Sequence, residues 1–147
     1  MAIWDTAGEE KFDSLTNFYC RNAKAALICY DVTNAETFRG LQRWVDKITL
    51  EADQNCALII VGNKLDAAQE NPSSRQVDLN EAKRYAASIG AQVVEASAKT
   101  GENVPQTFFN VVQMAFDRHG TGLKQGSKRG VDLDGKSKDE EGSKCCG

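Results

Sequence analysis

Cys56-Ala57-Leu58-Ile59-Ile60-Val61-Gly62-Asn63-Lys64-Leu65-Asp66 is the stretch whose reading decides the fold. Its first seven residues form an unbroken apolar run, the pattern of a strand buried on both faces of a parallel sheet. The run ends in Asn-Lys-x-Asp, a loop that puts a carboxamide and a carboxylate at the carboxyl edge of that sheet. Open α/β folds take their ligands there. A carboxylate in that place accepts two parallel hydrogen bonds from guanine, one from the ring N–H and one from the exocyclic amino group. Adenine offers neither in that geometry and would leave Asp66 as an unsatisfied charged group. Asn63 would bridge the base to neighbouring loops, and the methylene stem of Lys64 would cover its flat face. Alone, the tetrapeptide is equally a polar turn after a strand.

Two more strand exits change that balance. Val93-Val94-Glu95-Ala96 reads as a short strand followed by Ser97-Ala98-Lys99. There the Ala98 N–H would donate to the guanine carbonyl, Ser97 would hold Asp66, and Lys99 would pack on the base. At the other end of the chain, Ala2-Ile3-Trp4 reads as the end of a strand that exits through Asp5-Thr6-Ala7-Gly8. Together with Ile3-Trp4-Asp5, Lys11-Phe12-Asp13-Ser14-Leu15-Thr16, Tyr19-Cys20-Arg21-Asn22-Ala23 and Leu27-Ile28-Cys29-Tyr30-Asp31-Val32-Thr33, these exits make the sequence resemble a small GTPase of the Ras superfamily, specifically the Rab family. The resemblance runs from residue 1 to about 118 and returns at the C-terminal cysteines.

That resemblance implies an α/β fold: a P-loop NTPase-like G domain of three layers with a mostly parallel sheet. It also implies that the first strand, first helix and second strand of that domain are missing here. No G-x-x-x-x-G-K-[ST] precedes the Trp4–Asp5 exit, where the family carries it, and the one match, at 130–137, falls in the polar tail with no strand before it, so the backbone N–H groups and lysine that cradle phosphates have no counterpart in the domain. Either the product extends upstream of Met1 or the chain is a truncated form. By resemblance, Asp5 acts on Mg²⁺ through water, and Ala7 and Gly8 lie on the phosphate side, where the glycine lets backbone approach closely. Glu9 stands where the family usually has the glutamine that orients the attacking water. At about 5 Å and an effective dielectric of about 20, its repulsion from one phosphate charge is ~3 kcal/mol, which predicts slow hydrolysis. Trp4, Phe12 and Tyr19 fall on the family's effector surface; for Trp4 and Tyr19, burial in an ordinary core is an equal alternative.

The function implied is a GTP- and GDP-binding molecular switch in vesicle-mediated and intracellular protein transport. Its implied partners are an exchange factor, a GTPase-activating protein, a GDP dissociation inhibitor, the Rab escort protein and effectors. The alternative is a prenylated fragment that binds nucleotide poorly and acts only as a protein-interaction module.

Composition is consistent with this. The 147 residues suit one domain, 1–118, plus a tail, 119–147. A net charge of −3 argues against nucleic acid as a partner, and no apolar run approaches the length of a membrane span. Cys20, Cys29 and Cys56 read as reduced core thiols of a cytosolic protein, and His119 as a solvent-facing residue with no role.

Along the chain, Ala25–Tyr30 reads as a buried strand. One helix follows, with Phe38, Leu41, Trp44, Val45 and Ile48 on its buried stripe. A polar loop is expected between Asp66 and Asp78. Asp78-x-x-Glu81 then opens a helix that stops at Gly90. Asn103 and Pro105 start the last helix, whose stripe of Val104, Phe108, Val111, Val112 and Ala115 should lie across the sheet.

From His119 the pattern collapses into Gly, Ser, Lys and Asp. Residues 120–144 carry six basic and five acidic side chains, a mixed solvated linker rather than a polybasic patch. Gly130-Val131-Asp132-Leu133 is similar to tails of endosomal and autophagy-linked branches of the family. The terminal Cys145-Cys146 pair resembles the Rab geranylgeranylation site. Two such chains would anchor the protein peripherally on the cytosolic face of endomembranes, each buried CH₂ adding about 0.8 kcal/mol.

Overall fold

A computed structural model describes residues 3–5 and 20–120. Its centre is a three-stranded parallel sheet in the order β1-β2-β3, formed by Ala25–Asp31, Ala57–Asn63 and Gln92–Glu95. Ala25 faces Ala57 and Asp31 faces Asn63, so β1 and β2 end level with one another. Gly62 pairs with Glu95, which brings the exits of β2 and β3 to the same rim. The apolar run that opened the sequence reading is β2, and it is buried from Ala57 through Gly62.

Among the described residues five helices connect and cover the strands: α1 (Ala35–Arg39), α2 (Leu41–Glu51), α3 (Leu65–Glu70), α4 (Leu79–Ser88) and α5 (Val104–His119). One face of the sheet, with Ile28, Tyr30, Leu58 and Ile60, packs against Leu41, Val45, Ala82 and Ala86 of α2 and α4. The other face, with Ala57, Ile59 and Val61, packs against Val111 of α5. The period-two alternation of β2 thus feeds two cores, and the described residues form a three-layer α/β arrangement with a parallel sheet.

Several local expectations need correction. The single helix expected after β1 is divided at Gly40 into α1 and α2. Asn63–Asp66 is not simply a loop, because Asn63 still belongs to β2 and α3 begins at Leu65. The remainder of the expected polar loop contains the rest of α3 and a 3₁₀ turn at Pro72–Ser74. Backbone N–H groups of Gln76 and Val77 then dock on the carbonyl of Val32, tying this segment to the end of β1.

Helix ends follow their sequence signals more closely. Asp78 Oδ1 accepts from the N–H groups of Asn80 and Glu81 and caps α4. At its other end, Ala91 N–H reaches Ala86 O and Gly90 N–H reaches Ala87 O, with Gly90 at φ +67°. That double bond needs a left-handed residue, and glycine adopts it without a Cβ penalty.

Two apolar expectations fail at the edges of the layers. Ile3–Asp5 form no strand, and Ile3 and Trp4 are exposed. Among the described residues no strand lies on the outer side of β1, so nothing there offers Ile3 and Trp4 a ladder to join. Cys29 is exposed rather than a core thiol, whereas Cys20 is buried and Cys56 half-buried. On α5, Thr107 rather than Phe108 is buried; its hydroxyl donates to Asn103 O at 2.8 Å, which lets a polar side chain lie against the sheet. His119 is also not solvent-facing: its side chain is mostly covered, with Nδ1 3.8 Å from Asp53 Oδ1. Trp44 packs at the margin of the core, with the cationic ends of Arg43 and Lys47 over its ring.

Candidate functional site

The carboxyl rim is built by β2 running one residue further than its core requires. Val32 N–H donates to Asn63 O, and Ala96 N–H donates to Gly62 O, so the chain beyond each outer strand stays bonded to β2. Gly62 makes this closeness possible. A Cβ there would sit 2.8 Å from the Tyr30 hydroxyl and 2.9 Å from Val32 Cγ1. Lys64 then takes a left-handed backbone, φ 65° and ψ 35°, and α3 starts at once. Leu65 N–H donates to Ala96 O at 3.1 Å, which locks the Asn63–Asp66 turn to the exit of β3.

Within this frame, residues 31 positions apart in sequence meet. Ser97, fully buried, donates its hydroxyl to Asp66 Oδ1 at 2.7 Å and accepts from Thr100 N–H. Lys99 Nζ lies 3.6 Å from Asp66 Oδ2 and 3.7 Å from Glu70 Oε1. The bond from Ser97 holds the Asp66 carboxyl below its ordinary value; desolvation opposes this and the charge of Lys99 reinforces it. One Asp66 oxygen is therefore committed to a buried hydroxyl, and the other faces a mobile-stemmed, solvated ammonium. Ala98 N–H donates to Asn63 Oδ1 at 3.0 Å, where the sequence reading had reserved it for a base carbonyl.

Asn63, Lys64, Asp66, Ser97, Ala98 and Lys99 are thus brought to one rim. Asp31 was missed. Its Oδ2 is 2.6 Å from Lys64 Nζ, and the signal available in the sequence was its place at the end of the strand beside β2. Of the residues assigned to the phosphate side and to effectors, Asp5 and Trp4 are described and exposed. Ala7, Gly8, Glu9, Phe12 and Tyr19 lie outside the described residues, as do Cys145 and Cys146.

The comparisons with known proteins bear on this rim and its order of exits. A family model described as "Ras family" matches residues 1–117. The chain belongs to the Ras family. Among similar proteins is Ras-related protein Rab-31 of Rattus norvegicus, 38% identical over 146 residues, covering 98% of this chain and 70% of the relative. Ras-related protein Rab-26 of Bos taurus is 41% identical over 119 residues, covering 81% of the chain and 45% of the relative. Ras-related protein Rab-31 of Mus musculus is 44% identical over 106 residues, covering 72% of the chain and 52% of the relative. The chain therefore spans about half the length of two of these relatives and a little over two thirds of the third. Within the Ras family it is a Rab-like small GTPase.

Ras-family GTPases generally use Mg²⁺. Among the described residues of this Ras-family chain, no three His, Cys, Asp or Glu side chains group as a metal site. Asp5 is the one described residue that the resemblance gives to the ion, and it does not by itself make a site. No helix among the described residues is long and apolar enough to cross a membrane.

Proposed function

We propose that this chain recognises the guanine moiety of GTP and GDP at the carboxyl rim, as the base-binding part of a switch in vesicle-mediated transport. The observation that carries the reading is the juxtaposition of Asp66, Ser97 and Lys99. A carboxylate is held ionised by a buried hydroxyl, and its second oxygen lies 3.6 Å from an exposed lysine that a ligand could displace. Guanine's ring N–H and amino group match such an acceptor, and each hydrogen bond to a charged group adds about 1.5–3 kcal/mol in favourable cases. Asn63 and Ala98, already bonded to each other, fix the second and third exits as one wall.

The remaining roles extend this reading along the chain. Asp5, Ala7 and Gly8 face the phosphate and Mg²⁺ side, and Glu9 in place of a glutamine makes hydrolysis slow. Trp4, Phe12 and Tyr19 contribute to the surface that effectors read, and the 65% exposure of Trp4 supports its share. Exchange factors, GTPase-activating proteins, GDP dissociation inhibitor and escort protein act on the switch. Geranylgeranyl groups on Cys145 and Cys146 hold it at the cytosolic face of endomembranes, with an endosomal or autophagic destination.

The test of the base site is a titration of the 147-residue chain with fluorescent guanine and adenine nucleotides. A clear guanine preference, abolished by Asp66→Asn, is the expected result; equal binding of the two purines would remove the reading. Prenylation is checked by membrane pelleting, which should vanish when both Cys145 and Cys146 are changed to serine.

A further inference from the structure

Asp31 closes β1, and recognition of a base by Asn63, Asp66 and Ser97 makes no demand on it. It is nevertheless one of the most constrained carboxylates in the molecule. Oδ1 accepts from Thr33 N–H at 2.8 Å and from the Thr33 hydroxyl at 2.6 Å, while Oδ2 lies 2.6 Å from Lys64 Nζ. The Asp31 N–H donates to Thr37 Oγ1 at 2.9 Å, which ties it to the first turn of α1. Side-chain exposure is 15% for Asp31 and 58% for Lys64, so the carboxylate is the fixed member and the ammonium the one being held. Lys64 is also held from below, because its left-handed backbone sits between the last residue of β2 and the first of α3. Lys99 provides the contrast: it lies at 3.6 and 3.7 Å from two carboxylates and is 70% exposed.

We propose that Asp31 is a positioning residue for base recognition. It anchors the Lys64 ammonium so that the lysine's four-carbon stem lies ready across the face of the guanine ring, although Asp31 itself never touches the base. This rests on the guanine-binding reading above. A lysine stem fixed before the ligand arrives has already lost the rotamer freedom that stacking would otherwise remove, so preorganisation appears as tighter binding. Asp31 stays ionised for the task. Burial alone would push its carboxyl up, but the hydrogen bonds from Lys64 and Thr33 outweigh that and hold it below its ordinary value.

The experiment uses the full chain and two uncharged nucleosides, guanosine and adenosine, so that losing a negative charge at residue 31 does not change attraction for phosphate. Asp31→Asn keeps an oxygen acceptor for Thr33 and removes the ion pair. Ligand-observed NMR should show guanosine affinity falling about threefold to fivefold, the range of one partly exposed ion pair, with adenosine unaffected. In a Lys64→Gln background the same change should have no further effect, because the two residues act as one unit. Should Asp31→Asn fail to fold, Asp31→Glu displaces the charge by one methylene and should show the same loss. Unchanged guanosine affinity, or an equal loss in the Lys64→Gln background, overturns the proposal and leaves guanine recognition standing. A wild-type chain with no preference for guanosine overturns guanine recognition, and this proposal with it.

Discussion

The two rims of the sheet use charged side chains in opposite ways. At the amino rim, Arg118 donates to the carbonyls of Cys56 and Gly90, fastening the end of α5 to the start of β2 and the end of α4. Asp53 there is consumed by Lys24 at 2.5 Å and by the Asn55 N–H, with His119 beside it. Those bonds finish helix and strand ends and leave little to offer a ligand. At the carboxyl rim Asp66 is instead held by the buried Ser97 hydroxyl, and its other oxygen lies 3.6 Å from the exposed Lys99, a looser pair than Lys24 and Asp53. The difference separates fastening from recognition. A rim whose donors end on backbone carbonyls is closed, whereas one that holds a carboxylate ionised is poised for an exchange of partner.

The sharpest way to break this contrast is Gly62→Ala. Its Cβ would meet both the Tyr30 hydroxyl and Val32 at under 3 Å. We expect a loss of about 3 kcal/mol in urea unfolding together with loss of guanine preference. Full stability would show that the carboxyl rim does not depend on close approach of β1 and β2. Ser97→Ala comes next: it deletes the donor to Asp66 and the acceptor for Thr100 in a fully buried place, at about 2 kcal/mol. Its acid side is informative as well. Asp66 and Asp31 have folded carboxyls below the ordinary value of 3.8, so their stabilisation is complete above that value and is lost as pH falls through the lower folded value. Ser97→Ala should flatten that acid limb, and a limb identical to wild type would place its origin elsewhere.

Arg118→Ala tests the amino rim, with an expected cost of about 1 kcal/mol for exposed bonds and no change in the ratio of guanine to adenine binding. An altered ratio would show that the rims are coupled. The smallest effect belongs to Tyr30→Phe. The Tyr30 hydroxyl is buried and, among the described residues, has no hydrogen-bond partner, so removing it should leave stability unchanged or raise it by up to about 1 kcal/mol. Burial, followed by the charge of Glu95, pushes that hydroxyl up to about 12 from 10.0. Its protonated form is thus favoured by folding, and the contribution present below pH 10.0 is lost as pH rises through about 12. Tyr30→Phe should delay alkaline unfolding, as followed by circular dichroism; an earlier transition would mean that the hydroxyl has a partner in solution.

Much of this was readable along the chain. The run ending at Gly62 announced a doubly covered strand because both parities of its residues are apolar, and Asp78 and Gly90 announced the ends of α4 because capping is a local matter. The helical identity of Leu65–Glu70 was not readable, since a six-residue helix with polar flanks has no period long enough to register. Phe108 and Thr107 exchanged places because one residue of rotation along α5 decides burial, and only the sheet beneath fixes that rotation.

Amino-acid order by itself determined the family, the parallel strands and the cluster of Asn63, Asp66 and Ser97, because strand exits in a parallel sheet must share a rim. Only the tertiary structure decided that Ala98 bonds Asn63, that Lys64 is held by Asp31, and that His119 turns in toward Asp53. These are contacts between segments dozens of residues apart. Their partners are chosen by register and by angstroms of approach, quantities that no local pattern of side chains contains.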